Sequence, residues 1–600
     1  MSSKHRTSQQ ISPTTRGLLL LVVAMVTFTA ACAATPQEAT IEDVEEVDPA
    51  RQWAEQTLES LTLAEKIGQL FITHAYGATA DSTEVGDVER NQSTHGVDTA
   101  AELVQRYHLG GVIYFGWADN LADPEQIAGL SNGLQTAALD DTGVPLLIST
   151  DQEHGSVVRI GEPVTQFPGN LAIGATQQVE YATASAEVIG AELRAMGLNQ
   201  NWAPVADVNV NPDNPVIGTR SFGSDPQSVA EFTAAAVRGY QTQLVASAKH
   251  FPGHGDTDVD SHTDLPEITH DQEQWWQLDA PPFIAAIDAG VDIVMSAHLR
   301  FPALDDSGTP ATLSQPILTG LLREQLGFDG VIVTDSLSME GVRQDHTDGE
   351  VVVEALKAGA DLLLMPPDIA LAVGAVTEAV TDGELTEERI DASVRRILEL
   401  KYERGIVDAP IVDIAGTEVV GSAEHQAVAD EVAAAAITVL RQSADDFPIS
   451  TDPVLVTGVG DQTVGTLAEA ITSHGPTTLA HASGSDPDAD TRNAVLSTAD
   501  KAGSIVVVVR DVGGSPQQLQ LVDELVATGK PVTVLMTDAP YAADRLESAD
   551  TVLVGYSNLP TSLRAAAAVI CGKAEATGRL PVDVMAGNAS GDVLYPVGHG

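Results

Sequence analysis

Three scarcities bound the chain before any motif is read. Only two of its 600 residues are cysteine, Cys32 and Cys571, and their contexts differ so much that a disulfide framework is excluded. Aromatic residues make up 4% against an overall apolar fraction of 43%, so the core must be built from small and branched aliphatic side chains. Basic residues number 30 against 85 acidic ones, a net charge of -55. That balance rules out a nucleic-acid binder, which needs a basic footprint, and general attraction to anionic lipid. It also opposes compactness at low ionic strength, and screening by salt relieves it. Long apolar runs are missing too. The one extended stretch, residues 18–31, is too short for a comfortable membrane span.

That stretch reads as an export leader. Lys4, His5, Arg6 and Arg16 precede it, and small residues end it at Thr29-Ala30-Ala31-Cys32. The ending resembles a bacterial lipoprotein cleavage site, with threonine where leucine is usual. Residues 1–32 are therefore expected to be a leader. Cys32 is the candidate lipidation site for an anchor on the outer face of the cytoplasmic membrane, and plain secretion is the alternative. Residues 33–50 are acidic and aperiodic, as in a disordered tether. Cys571 follows an Ala-rich apolar run and reads as a buried small residue.

Six hundred residues exceed one ordinary core. Ordered structure is expected from about Trp53, with a helix entry at Leu61-Thr62-Leu63-Ala64-Glu65-Lys66. Short apolar runs then alternate with Ala-rich helical stretches, at 111–115, 145–149, 202–205, 244–248, 291–295, 330–333 and 360–364. Many end in a polar or ionisable residue: Asp151, Asp207, Lys249, His298, Asp335. This repetition predicts a (β/α)8 TIM-like barrel over 51–407 whose C-terminal rim forms the site. A linker at 408–422 and a second α/β sandwich domain over 423–600 follow, with strands at 453–456, 504–509, 531–536 and 551–554. Gly458-Val459-Gly460-Asp461 lacks the spacing of a dinucleotide loop.

The most informative stretch runs from Lys249-His250-Phe251-Pro252-Gly253-His254-Gly255 to Asp260-Ser261-His262. Pro252, Gly253 and Gly255 end the strand, so ionisable groups gather where a loop begins. Asp260 and His262 are two apart, and on extended backbone they share a side. A carboxylate beside an imidazole fixes its tautomer and favours its protonated form, which suits proton transfer. Spacing alone leaves two other readings open: a polar surface loop, or a metal site using His250, His254, Asp256 and His262. Asp335 likewise follows an apolar strand, either as a helix N-cap or as a working carboxylate.

The 249–262 segment resembles the signature loop of family 3 glycoside hydrolases of the bacterial β-N-acetylglucosaminidase type. Gly578-Arg579-Leu580-Pro581-Val582 resembles the end of that family's C-terminal domain. The resemblance implies a retaining exo-β-N-acetylglucosaminidase acting on N-acetylglucosamine-containing cell-wall or chitin-derived glycans, with no metal or redox cofactor. It makes Asp335 the nucleophile and His262, oriented by Asp260, the general acid/base. It also makes Asp151, Arg220, Lys249 and His250 the sugar-binding residues. The family usually reads Asp-Gln-Glu-Gly-Gly where this chain has Asp151-Gln152-Glu153-His154-Gly155, a departure that puts the shape of that rim in doubt and could alter the pocket entrance. Arg220 could equally serve a structural ion pair, and His298 is set outside the site as a supporting or merely satisfied buried histidine. The rival readings are a phosphorylase of the same family, since a histidine does not repel phosphate as a carboxylate would, and a β-glucosidase. Substrate-assisted catalysis and a silent wall-binding lipoprotein are further alternatives.

Overall fold

Thr62 starts a helix as its sequence context requires. Its hydroxyl accepts the Glu65 N–H and the Glu65 carboxylate accepts the Thr62 N–H at 2.6 Å, a reciprocal cap. In this computed structural model, which describes residues 48–443, 447–587 and 591–600, order begins earlier than expected. Asp48 caps the helix Pro49–Ser60, where proline at the first helical position replaces a donor that would have no partner. The leader, Cys32 and most of the tether lie outside the described residues. Among the described residues no helix is long and apolar enough to cross a membrane.

Eight short strands follow: β1 Phe71–Thr73, β2 Gly111–Ile113, β3 Leu147–Thr150, β4 Gln200–Asn201, β5 Val245–Phe251, β6 Ile293–Ser296, β7 Val331–Val333 and β8 Leu363–Leu364. Neighbours pair in parallel in the order β7-β6-β5-β4-β3-β2-β1-β8. A parallel bridge between Val333 and Leu362 brings the two ends together, so the sheet closes into a barrel. Every strand residue is buried, as expected where helices cover one face and the barrel interior the other.

Two strands sit elsewhere than expected. The 202–205 run lies beyond β4, because Pro204 has no N–H to give a ladder; its carbonyl accepts from Lys249 instead. β8 starts at Leu363 because Asp361 is held below it by Arg323 and Arg396, at 2.7 and 3.2 Å.

The helix Glu387–Glu403 seals the barrel beneath the strands' N-terminal ends. Arg395 pairs with Glu55 at 2.7 Å, and Tyr402 packs against Trp53. Its Lys401 is fully buried and donates to Gln69 Oε1 at 2.9 Å and the Gly110 carbonyl at 3.0 Å. Burial without a carboxylate lowers its pKa to about 7. The unfolded chain, with an ordinary lysine near 10.4, then holds a proton the folded state lacks between about pH 7 and 10. Stability from this group therefore rises with pH across that window and is lost as pH falls through it. Lys401→Met should flatten the rise relative to wild type in thermal melts from pH 7 to 10; parallel curves would refute this.

The second sheet contains β9 Thr438–Arg441, β10 Val454–Gly458, β11 Thr478–Ala482, β12 Ser504–Val509, β13 Val532–Met536 and β14 Thr551–Val554, in the order β11-β10-β12-β13-β14-β9. Only β9 runs antiparallel to its neighbour. Helices cover both faces over two aliphatic clusters. A hairpin, β15 Val584–Met585 and β16 Val593–Tyr595, ends the chain. Cys571 caps the helix Pro560–Ile570 and is half-buried rather than buried. The barrel helix Asn170–Ala175 inserts Leu171, Ala172 and Ala175 into the second domain's core. Its Asn170 side chain donates to the Arg220 carbonyl at 2.7 Å, so the second domain steadies a rim turn of the barrel.

Candidate active site

β3 delivers Asp151 and Glu153 to the rim, and their spacing puts both on one side. β5 delivers Lys249 beside them. The Lys249 ammonium lies 3.1 Å from Asp151 and 2.5 Å from Glu153. Arg220 grips Glu153 through Nε at 2.8 Å and a terminal nitrogen at 2.9 Å, and reaches His250 Nε2 at 3.4 Å. Two carboxylates and two cations thus close a buried, charge-balanced cluster. Burial pushes the Glu153 carboxyl up, but Arg220 and Lys249 outweigh it and hold it well below the usual range. The ion-pair reading of Arg220 is realised, and it lies inside the candidate site. Arg159 approaches Asp151 at 3.5 Å and lies over the Phe115 ring, on which the half-exposed Trp117 stacks as an aromatic shelf at the rim.

Glu153 is the residue that sequence reasoning passed over, although it lies only two residues beyond Asp151. Removing one partner of a buried pair strands the other charge, at a cost of about 3–5 kcal/mol. Glu153→Gln should lower unfolding free energy by that order in urea titrations; a loss below about 1 kcal/mol would contradict the account.

Asp207 organises the next layer. It is fully buried and takes His250 Nδ1 at 2.7 Å and the His254 N–H at 2.8 Å. Burial raises its carboxyl and the facing histidines lower it further, for a net depression. The chain after β5 is thereby pinned at both His250 and His254. His254 Nε2 meets Ser261 Oγ at 3.0 Å, one residue from each dyad member. Gly255 is required here, since a Cβ would lie 1.7 Å from the Val208 carbonyl oxygen.

Asp260 and His262, the expected acid/base dyad, are hydrogen-bonded to each other. His262 Nδ1 lies 2.8 Å from Asp260 Oδ1, and the same oxygen accepts the His262 N–H at 2.9 Å. The imidazole is 61% exposed, so it meets solvent from the rim. Burial raises the Asp260 carboxyl slightly, and the His262 hydrogen bonds more than reverse this. The three histidines and one aspartate considered as metal ligands are otherwise engaged: His250 on Asp207, His254 on Ser261, His262 on Asp260, and Asp256 on His270. Among the described residues no three ligating side chains converge on a cation position.

Asp335 follows β7 and does not cap a helix, because the next helix begins at Glu340 with Met339 as its N-cap. Its Oδ1 accepts the Ser336 N–H at 2.7 Å. Burial raises its carboxyl, but the His250 and His298 rings, the Ser336 N–H and the Lys249 ammonium prevail and hold it below the ordinary value. His298 is fully buried, with Nδ1 2.8 Å from Thr312 Oγ1 and Nε2 2.9 Å from the Ser336 carbonyl. It lies within electrostatic reach of both Asp335 and His262. The turn after Asp335 also packs under the dyad loop: the Glu340 N–H points to the His262 carbonyl, and a Cβ on Gly341 would meet the carbonyls of Asp264 and Ser261 at 2.7 and 2.8 Å.

His154 does not alter the entrance. It is buried behind β3, with Nε2 3.2 Å from the Tyr240 hydroxyl and its ring edge-on to Phe167. Burial depresses it to about 3, so it is a neutral wall residue.

The family profile described as "Glycosyl hydrolase family 3 N terminal domain" matches residues 62–400. The chain belongs to glycosyl hydrolase family 3. Beta-hexosaminidase A of Pseudoalteromonas piscicida is 38% identical over 408 residues, covering 64% of this chain and 67% of that protein. A beta-N-acetylglucosaminidase/beta-glucosidase of Cellulomonas fimi is 33% identical over 411 residues, covering 66% and 68%. A solved family 3 beta-N-acetylglucosaminidase from Paenibacillus sp. str. FPU-7 superposes with a TM-score of 0.78 at 37% identity, covering 87% of this chain and 99% of that one. The profile match lies within the barrel and the short segment leading to it, and the superposition over 87% of this chain extends the likeness into the second domain.

Proposed function

We propose that this family 3 enzyme is a retaining exo-β-N-acetylglucosaminidase that releases N-acetylglucosamine from the non-reducing end of cell-wall or chitin-derived glycans. The observation that carries the reading is the meeting of two distant pieces of chain: the turn after Asp335, braced by His298 on the Ser336 carbonyl, and the loop bearing Asp260 and His262. The relatives named as hexosaminidases and N-acetylglucosaminidases support the sugar.

In this reading an Asp335 carboxylate oxygen attacks the anomeric carbon while the bond from that carbon to the leaving oxygen breaks. His262, its Nδ1–H held by Asp260, passes the Nε2 proton to that oxygen. In the second step neutral His262 takes a proton from water. The water oxygen bonds to the anomeric carbon, and the Asp335 carboxylate is released. Asp151, Lys249, Arg220 and His250 grip the hydroxyls, with their own charges already balanced.

The deciding experiment is a panel of aryl glycosides, run with and without phosphate. Fast release from the N-acetylglucosaminide, slow release from the glucoside and no sugar 1-phosphate is the expected result. Phosphate-dependent turnover would move the assignment to a phosphorylase, and preference for the glucoside would move it to a β-glucosidase. We place the enzyme outside the cytoplasm, anchored through acylated Cys32; an intact mass of the native protein lacking diacylglyceryl would reduce this to secretion or an uncleaved leader.

A further inference from the structure

The acid/base pair stands in the open, with the His262 and Asp260 side chains 61% and 41% exposed. Their own packing does little to fix them, so the loop must be held from its root. One hold, Asp207 on His250 and His254, belongs to the site already described. A second hold uses residues outside that site.

His270 lies just before the helix Gln272–Leu278. Its buried ring joins two carboxylates: Nδ1 lies 2.7 Å from Asp279 Oδ2, and Nε2 lies 2.9 Å from Asp256 Oδ2. Asp256 is on the dyad loop, in the turn before Asp260. Asp279 is buried at the start of the helix Ala280–Asp288 and makes no cap bond to it, because its carboxylate goes to His270. The loop passes directly over this carboxylate: a Cβ on Gly253, whose φ is +128°, would lie 2.8 Å from Asp279 Oδ1. Trp275, whose carbonyl accepts the Asp279 N–H, donates its own Nε1–H to the Pro252 carbonyl at 2.9 Å. The loop is therefore tied at Pro252, Gly253 and Asp256 to one helical corner.

An imidazole offers an N–H at both edges of its rigid ring only when doubly protonated. The Asp279 hydrogen bond, opposed by burial and helped by Asp256, raises the His270 pKa and favours that state. A neutral ring would turn a lone pair toward one of the carboxylates. Among the described residues no hydrogen bond joins His270, Asp256 or Asp279 to Asp151, Arg220, Lys249 or His250, so the bridge has no direct hold on the sugar-binding groups.

We propose that His270 is a positioning residue for the general acid: by bridging Asp256 to Asp279 it holds the dyad loop so that the His262 imidazole meets the leaving oxygen. The inference rests on the acid/base role given to His262 above.

The test uses the full chain, with chitobiose and a dinitrophenyl N-acetylglucosaminide as substrates. His270→Asn should lower kcat/KM on chitobiose by about 10- to 100-fold, the scale of a catalytic group displaced by about 1 Å. On the dinitrophenyl substrate, whose leaving group departs without a proton, the loss should stay below about threefold. Asp256→Ala should give the same bias, and since its side chain is 35% exposed it keeps the test decisive if His270→Asn misfolds. Asp256→Asn keeps an oxygen acceptor for the Nε2–H and should stay within about fivefold of wild type on both substrates. Hydrogen exchange without substrate should quicken about tenfold or more over 253–264 in His270→Asn and Asp256→Ala, and not elsewhere. Unchanged loop exchange, or an equal loss on both substrates, would overturn the proposal. If His262→Ala itself shows no leaving-group bias, the acid/base reading fails. Faster exchange confined to the loop then still upholds His270 as its anchor, and unchanged exchange refutes it.

Discussion

Asp335→Ala should lower kcat/KM on an aryl N-acetylglucosaminide by about 10⁴-fold, or about 5.4 kcal/mol of transition-state stabilisation, while leaving the melting temperature nearly unchanged. The size follows from the role. Without the carboxylate no covalent intermediate forms, and only binding and the dyad remain to assist direct attack by water. The small stability effect follows from position. Asp335 ends β7 and accepts one backbone N–H, from Ser336, so alanine removes that bond but strands no ion-pair partner. Its pH behaviour can be signed as well. The carboxyl is held below its ordinary value, so the ionised nucleophile persists as pH falls through the mildly acidic range. An acid limb of kcat/KM above about pH 5 must then come from another group, since an aspartate ordinarily titrates near 3.9. A 2-fluoro sugar should label Asp335 in the wild type. An active enzyme that resists labelling, or an Asp335→Ala variant near wild-type rate, would shift the chemistry to assistance by the substrate's own acetamido group.

Much of this site could be read in the chain because its groups lie at the ends of apolar runs. Asp151 and Asp335 each follow a buried strand and Lys249 lies near the end of one, and a strand end in a barrel is a rim position. Asp260 and His262 were legible as a pair because their bond is local, two residues apart. What stayed hidden was long-range. Glu153 has no part that the chain alone assigns, since only the fold brings Arg220 and Lys249 onto it from 67 residues away and from the end of β5. Asp207 was seen at a strand end, but its hold on His250 and His254 depends on β4 and β5 lying side by side. The effect of His154 stays open in the chain because a positive φ, +81°, turns its side chain behind the rim, and nothing local in the sequence announces that. The edge strands β9 and β11 escaped notice for a different reason. Half-exposed strands such as Thr478–Ala482 carry no buried run, so their apolar signal is weak.

His262→Ala should produce the second large loss, and its signature is the dependence on leaving group. General acid catalysis contributes about 10²–10⁴-fold, and the contribution scales with the need of the departing oxygen for a proton. Chitobiose, whose leaving alcohol is a poor one, should slow toward the upper end of that range. A dinitrophenyl glycoside departs as a stable anion and should slow by less than about tenfold in the glycosylation step. Asp260→Asn separates orientation from proton supply. The Asp260 carboxylate oxygen holds both the His262 ring and its backbone N–H. The amide keeps an acceptor of the same shape but removes the negative charge beside the ring, so orientation is kept while the electrostatic support for proton transfer is lost. The Asn variant should therefore show the same leaving-group bias as His262→Ala with a smaller loss, on the order of 10²-fold on chitobiose. The exposure of the imidazole gives added weight to the deglycosylation step, where water must reach Nε2 from the rim. Small anions such as azide, which need no proton removed, should restore turnover of the dinitrophenyl substrate by His262→Ala when that second step limits the rate. If His262→Ala slows good and poor leaving groups equally and azide restores nothing, the dyad positions the loop and does not move the proton.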